Sequence, residues 1–300
     1  MIRMSFFYWL IVLLVFEETI EFFYRKKLSS TANRFKNINS DLEIVNIGSG
    51  PGLYAIDYSS GKRNGFNMST APQSFSYGFK LLKHYSKNIK DNAIIIIIMC
   101  PLSFGNNQDY LKKGYGDQYY GVLRPSEIDD YSISRAFMVY HPIFFKCLSM
   151  FKRVLLGNNR IKNEIKQDEP SVVVGWKNQF LLKDLVDSRQ AEIHKNAFKE
   201  KIEVINNIIN FCKSNNWRPV FVIPPVPRNT RSYISGDFLS AFVYENLKQI
   251  EPICTLDYYE LDDRVALTFS NDIFLSQDSK QVFSKILFED IDELERECKI

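Results

Sequence analysis

The chain has 300 residues and a mass of 35.1 kDa, with 45% hydrophobic residues, enough to build a substantial core and to exclude disordered and fibrous classes. Its 38 Lys and Arg against 35 Asp and Glu leave a net charge of +3 with no long basic block, so nucleic acid is not an expected partner. The five cysteines (Cys100, Cys147, Cys212, Cys254, Cys298) are dispersed, odd in number and without a CxxC pair, which indicates neither a disulfide framework nor a zinc site. No metal and no cofactor is expected.

The N-terminus is the least soluble-looking stretch. Ser5–Phe16 (SFFYWLIVLLVF) is an uncharged run, too short alone for a bilayer; adding Glu17–Tyr24 brings it to about 20 residues, a spanning length, with Glu17, Glu18 and Glu21 near its far end and Arg25, Lys26 and Lys27 after it. No A-x-A cleavage signature follows. Residues 1–27 are therefore expected to be an uncleaved membrane segment, with a signal core or a buried helix as the alternatives.

From Asp41 onward, short apolar runs alternate with longer helical periodicity, the pattern of an α/β fold with a parallel sheet. Leu42–Ile47 (LEIVNI) reads as the first strand and Ala93–Met99 (AIIIIIM) as a strand covered on both faces. Pro219–Ile223 (PVFVI) and the weaker Ile253–Tyr258 (ICTLDY) complete the set. Gln73–Tyr85 and Ala191–Cys212 carry apolar stripes at helical spacing and read as crossover helices. The main domain is expected over 41–300, with 105–188 as an inserted elaboration and Gly157–Pro170 as its mobile loop.

In open parallel sheets ligands bind beyond the carboxyl ends of the strands, so chemistry is expected at Gly48-Ser49-Gly50-Pro51-Gly52, directly after the first strand. Glycines there would let backbone N–H groups approach an anion or an oxyanion. One reading of IVNIGSGPGLYAI is nucleotide binding, since it resembles the first motif of class I S-adenosylmethionine methyltransferases and, less closely, the dinucleotide turn GxGxxG. The dinucleotide form fails because its third glycine would fall at Leu53. The ribose acid expected after a second strand has only Asn67 to offer, in the turn-like stretch Ser59–Pro72.

A second reading takes more of the chain. VNIGSGPGLYAIDY, GFNMSTAPQSFSYGFKLLKHY, AIIIIIMCPLSF, AEIHKNAF, IINFCKSNNWRPVFVIPPV and LDYYELDDRVALTFSNDIFLSQDSKQVFSKIL occur in that order between Asp41 and Leu287. Their succession resembles the SGNH (GDSL-like) hydrolase superfamily, specifically its membrane-anchored members associated with bacterial capsule and cell-envelope polysaccharide. The resemblance implies a three-layer, flavodoxin-like parallel sheet behind an N-terminal membrane helix, acyl-ester transfer or hydrolysis on a glycan, a polysaccharide and a membrane as partners, and an extracytoplasmic domain.

In that family a serine after the first strand attacks the ester, backbone N–H groups and an asparagine hold the oxyanion, and a late Asp-x-x-His supplies the base. Here the serine position is Gly50, the aspartate position Asn271 and the histidine position Phe274. Ordinary SGNH hydrolysis is expected to fail, because a hydroxyl needs a base and phenylalanine accepts no proton. A relocated site would use Ser49 as nucleophile and a histidine as base, and of His84, His141 and His194 the last, in AEIH, fits an Ala-x-x-His element of the family subset. Gly48, Gly50, Asn67 and Gln73 are the candidate oxyanion or substrate-binding residues, and Ser103, Asn106, Arg228 and Arg231 are the remaining polar residues near strand ends. Altered or lost catalysis is thus expected, with a non-catalytic glycan-binding or assembly protein and a methyltransferase-like nucleotide binder as alternatives.

Overall fold

The run of isoleucines after Ala93 forms the centre of a five-stranded sheet. A computed structural model describes residues 8–9, 11–17, 19, 31–105, 115–141 and 169–297. The strands are β1 (Leu42–Ile47), β2 (Gly65–Asn67), β3 (Ile89–Ile98), β4 (Arg218–Ile223) and β5 (Thr255–Asp257). All pair in parallel, in the order β2-β1-β3-β4-β5. This is the strand order of flavodoxin-like sheets, whose ligand crevice opens between β1 and β3, where the order reverses.

Both faces of the sheet are covered, which is why β3 is not alternated. On one face Ile44, Ile94, Ile96, Ile98, Val220 and Val222 pack against Phe283, Leu287 and Ile291. Those three belong to a helix over Gln277–Arg296, N-capped by Ser276, whose hydroxyl accepts the Ser279 N–H. On the other face lie Val45, Ile47, Ile95, Ile97, Phe221 and Ile223, all buried. There the helices Phe75–His84 and Ala191–Ser214 pack on one another and on β1 and β4. In chain order we label Gly50–Ala55 α1, Phe75–His84 α2, Ser171–Phe180 α3, Ala191–Ser214 α4 and Gln277–Arg296 α5. Each buried isoleucine of β3 contributes about 1.5–3 kcal/mol relative to leaving it in water.

The strands differ from expectation where apolar pattern is absent. β3 begins at Ile89, four residues before the apolar run, because the polar Lys90-Asp91-Asn92 forms an irregularity: Leu42 pairs with Ile89 but Ile44 with Ile94, and Asn92 has φ +61°. β2 is unmarked in the sequence because it is a three-residue edge strand beginning with glycine, held only by β1.

The chain divides into two compact units: Met1–Asn37 with Gly114–Lys166, and Ile38–Lys113 with Gln167–Ile300. The second contains the sheet. In the first, helices Thr31–Lys36 and Ile133–Tyr140 pack against the turn Tyr115–Tyr119, and Tyr120 stacks on Tyr131 with ring centres 5.0 Å apart. The expected membrane helix is not supported: among the described residues no helix is long and apolar enough to cross a membrane. Positions 11–17 are helical, but Glu17 ends the apolar run and is buried, with its carboxylate 3.6 Å from His141 Nδ1. The rest of the 1–27 segment, and the Gly157–Pro170 loop up to 168, lie outside the described residues.

Candidate functional site

A cavity of about 250 Å³ opens at the carboxyl ends of β1 and β3. The turn Gly48–Pro51 forms one wall, Ala71–Phe75 a second, Ile98–Ser103 the floor, and α3 with Ile273 and Phe274 the far side. Its volume lies just below the ~300–1,000 Å³ of ordinary small-molecule sites.

The glycines of the first turn are required by packing as much as by any ligand. Gly48 has φ +143°, and a β-carbon on it would meet Ile98 Cβ at 2.6 Å. One on Gly52 would meet Ser69 Oγ at 2.6 Å and Ile98 Cγ1 at 2.7 Å, so α1 can settle onto β3 only with glycine there. The Gly48 N–H donates to Gln73 Oε1 at 2.6 Å, while Gln73 Nε2 donates to the Met68 carbonyl at 2.9 Å. Gln73 lines the cavity, but its amide ties the turn to the segment after β2, and the Gly48 N–H is not left for an oxyanion.

Ser49 lines the cavity too, and its hydroxyl oxygen accepts the Gln73 N–H at 3.4 Å. That contact uses an oxygen lone pair and leaves the hydroxyl hydrogen without an acceptor among the described residues. Gly50 faces the aromatic ring of Phe274: a β-carbon on Gly50 would stand 3.0 Å from both Cε1 and Cζ. Phe274 also lies over Tyr54, ring centres 4.3 Å apart.

The loop that carries Phe274 is shaped by two side chains. Asn271 Oδ1 accepts the N–H groups of Ile273 at 3.0 Å and Phe274 at 2.8 Å, a turn closed by the side chain on its own backbone. Asp272 Oδ2 accepts from the Ser171 N–H at 2.6 Å and the Ser171 hydroxyl at 2.7 Å, so it caps the start of α3. Asn271 therefore serves as a loop former and does not line the cavity.

Two candidates sit elsewhere. His194, on the first turn of α4, is 3% exposed and packs among aromatic rings, 5.3 Å from Phe242 and 6.2 Å from Phe198 between centres. Burial, with the Lys201 charge, lowers its pKa, and it neither lines the cavity nor bonds to Ser49. The AEIH pattern places it at a helix start without revealing which face it occupies. Asn67 is turned into the fold: its amide donates to the carbonyls of Gly52 at 3.0 Å, Leu53 at 3.3 Å and Ile56 at 3.3 Å, and its Oδ1 accepts from the buried Asn46 at 2.9 Å. It clamps α1 to β2.

His84 ends α2 beside Tyr85, and His141 belongs to the first unit. Ser103 donates to Cys100 Sγ at 3.3 Å on the cavity floor. Arg231 is held by Asp262 at 2.7 Å and Asp263 at 2.8 Å, and Arg228 by Asp263 at 2.9 Å, so both arginines stabilise a loop away from this cavity. Asn106 lies outside the described residues, and among those described no cluster of three metal-binding side chains occurs.

The cavity also contains groups that sequence patterns do not reveal. Trp176 and Gln179 come from α3, within the stretch expected as an elaboration. Their spacing of three residues puts both on one helical face, a signal that is present but has no partner to identify it. Lys201, from the middle of α4, donates to the Gly105 carbonyl. Burial pulls its ammonium down to about 8, partly offset by the nearby Cys100 and Glu200. The Cys100 thiol is pushed up by burial, so it is a poor nucleophile at neutral pH.

No family model matches the chain, and no curated protein matches it. Among solved structures, one described as a "putative acylhydrolase" from Bacteroides fragilis aligns over 87% of this chain and 94% of that one, at 8% identity and a TM-score of 0.37. So distant a likeness carries no argument about this chain's chemistry.

Proposed function

We propose that the sheet unit is an SGNH-like domain that keeps a ligand cavity at the strand ends without serine-hydrolase chemistry, and that it serves as a glycan-binding or assembly component of cell-envelope or capsular polysaccharide modification. The observation that carries this reading is the contact between Gly50 and Phe274. The two positions where the resemblance puts nucleophile and base are spatial neighbours at the cavity, and neither bears a group that can give or take a proton.

Ser49 offers no substitute machinery. Among the described residues its hydroxyl meets only a backbone N–H and no histidine lines the cavity, and a serine without a base is a weak nucleophile. The nucleotide-binding alternative loses support as well, since the Gly48 N–H is taken by Gln73 and the residue ending β2 is an inward-facing amide rather than an acid. Membrane association belongs to the same proposal: Tyr8, Trp9, Ile11, Val15 and Phe16 present large apolar side chains to solvent.

The test is an esterase assay beside a binding assay. The purified protein should not turn over small activated acetate esters above the buffer rate, while oligosaccharide fragments of an envelope glycan should give saturable calorimetric binding. Turnover removed by Ser49→Ala would refute the non-catalytic reading, and the absence of glycan binding would refute the binding role.

A further inference from the structure

Among the residues that line the cavity, the side-chain hydrogen-bonding capacity left unused among the described residues is mostly donor capacity. The Ser49 hydroxyl hydrogen and the Trp176 indole N–H have no acceptor among the described residues, and Lys201 uses one of its three N–H bonds, on the neutral Gly105 carbonyl. The Ser49 hydroxyl also keeps one lone pair, as does the Ser74 hydroxyl beyond the Tyr77 N–H, and the Gln179 amide can both give and accept. A ligand that satisfies this surface must bring oxygen acceptors.

Charge narrows the choice. Lys201 forms no ion pair among the described residues; the titratable groups that act on it are the Cys100 thiol just beyond β3, the exposed Glu200 next to it on α4, and His194 from the first turn of α4. A part-buried ammonium with no carboxylate in contact is unfavourable, because the exposed Glu200 compensates it only through solvent, and an anionic ligand group would relieve that cost. The indole of Trp176 with Phe75, Leu102 and Phe180 supplies an apolar wall for the C–H face of a ring.

We infer that the cavity takes a sugar acid, with its carboxylate on Lys201 and its ring against Trp176. This deepens the glycan-binding reading and rests on it. The contact is a charge-assisted hydrogen bond, and the preference for a charged over a neutral sugar is expected to be roughly tenfold or more.

Calorimetry on the full-length protein with D-glucuronate, D-glucose and hexanoate tests the inference. Glucuronate should bind more tightly than glucose, Lys201→Met should abolish the preference, and Lys201→Arg should retain it. A control without substitution guards against misfolding: raising the wild-type protein from about pH 7 to about pH 9.5 should weaken glucuronate binding roughly tenfold and leave glucose binding unchanged. If the two sugars bind alike, or the preference survives both Lys201→Met and high pH, the inference is wrong while the glycan reading stands. If hexanoate binds and neither sugar does, or if none of the three binds, both are wrong.

Discussion

Gly50 and Phe274 meet at the cavity so closely that a β-carbon on Gly50 would stand 3.0 Å from two ring carbons. A side chain at position 50 would press on the Phe274 ring and oblige it to shift by a few tenths of an ångström. The two positions to which the proposed reading assigns nucleophile and base are therefore sterically coupled: a hydroxymethyl group at position 50 requires the ring to move.

Gly50→Ser alone should destabilise the fold by about 1–3 kcal/mol, the usual cost of overpacking a filled site. Combining it with Phe274→Ala should be less harmful than the two separate changes predict, because the ring that clashes is gone. Urea unfolding of the two single variants and the double variant measures this coupling. Strict additivity would show that the contact is relieved some other way.

Introducing together the three residues that the proposed SGNH-like reading calls for, with Gly50→Ser, Asn271→Asp and Phe274→His, should produce no measurable turnover of activated acetate esters. Asn271 Oδ1 is engaged with the N–H groups of Ile273 and Phe274, and an aspartate would accept the same two bonds. Its carboxylate would then hold the loop instead of orienting an imidazole, and a catalytic group misplaced by an ångström is a poor catalyst. Turnover by the triple variant at ~10²-fold or more above wild type would show that the loop can reorganise.

The sheet is readable because its information is local. Runs such as Leu42–Ile47 and Ala93–Met99 advertise doubly covered strands through their own residues, and the stripe of α4 does the same for a helix. α5 carries a comparable signal, since Phe283, Leu287 and Ile291 recur at intervals of four. The site is only half legible. Ser49, Gly50 and Gln73 stand out because they sit in or near a strand-end turn, but Lys201, Trp176 and Gln179 are ordinary helix residues until the fold brings their helices to the cavity. Asn67 shows the converse: a polar residue at a strand end has the look of a ligand contact, whereas its amide is spent on three carbonyls of α1 and its exit.

Asn67→Ala should therefore reduce stability without touching ligand recognition. It would strip hydrogen bonds from the Gly52, Leu53 and Ile56 carbonyls and from the buried Asn46, at a cost of roughly 1–3 kcal/mol for the groups left unsatisfied. A lowered urea midpoint with an unchanged glycan affinity is expected. A loss of affinity in a variant of wild-type stability would assign Asn67 to the binding surface instead.

Membrane association can be examined without deleting a segment, which would also remove the buried Glu17. Ile11 and Val15 are both exposed and lie four residues apart on a helical stretch, so Ile11→Lys with Val15→Lys adds charge to that face without disturbing a core. The full-length wild-type protein should sediment with membranes and the double variant should shift to the soluble fraction. A wild-type chain found wholly in the soluble fraction would end the proposal.

Lys201 makes a prediction about pH that needs no ligand. Its pKa falls from an ordinary 10.5 to about 8 on folding, with burial as the main cause. Between those two values the unfolded chain binds more protons than the folded one, so the lysine's contribution to stability rises with pH across that window. Below about 8 the ammonium is charged in both states, and the folded protein carries the full desolvation cost. Above about 10.5 it is neutral in both, and that cost has vanished. The swing is of order 3 kcal/mol at most, because a tenfold change in proton affinity corresponds to roughly 1.4 kcal/mol. The buried tyrosines work in the opposite direction at the alkaline end: burial raises the pKa of Tyr58 and Tyr258, so their ionisation in the unfolded chain favours unfolding as pH climbs through their ordinary value. The informative quantity is therefore the difference between wild type and Lys201→Met, in which the tyrosine contributions cancel. Urea unfolding at intervals from about pH 7 to about pH 10 should show the methionine variant ahead of wild type at the neutral end and that advantage shrinking as pH rises. A stability difference that stays flat over this range would mean that the ammonium is hydrated in the folded protein, and that its pKa is not lowered by burial.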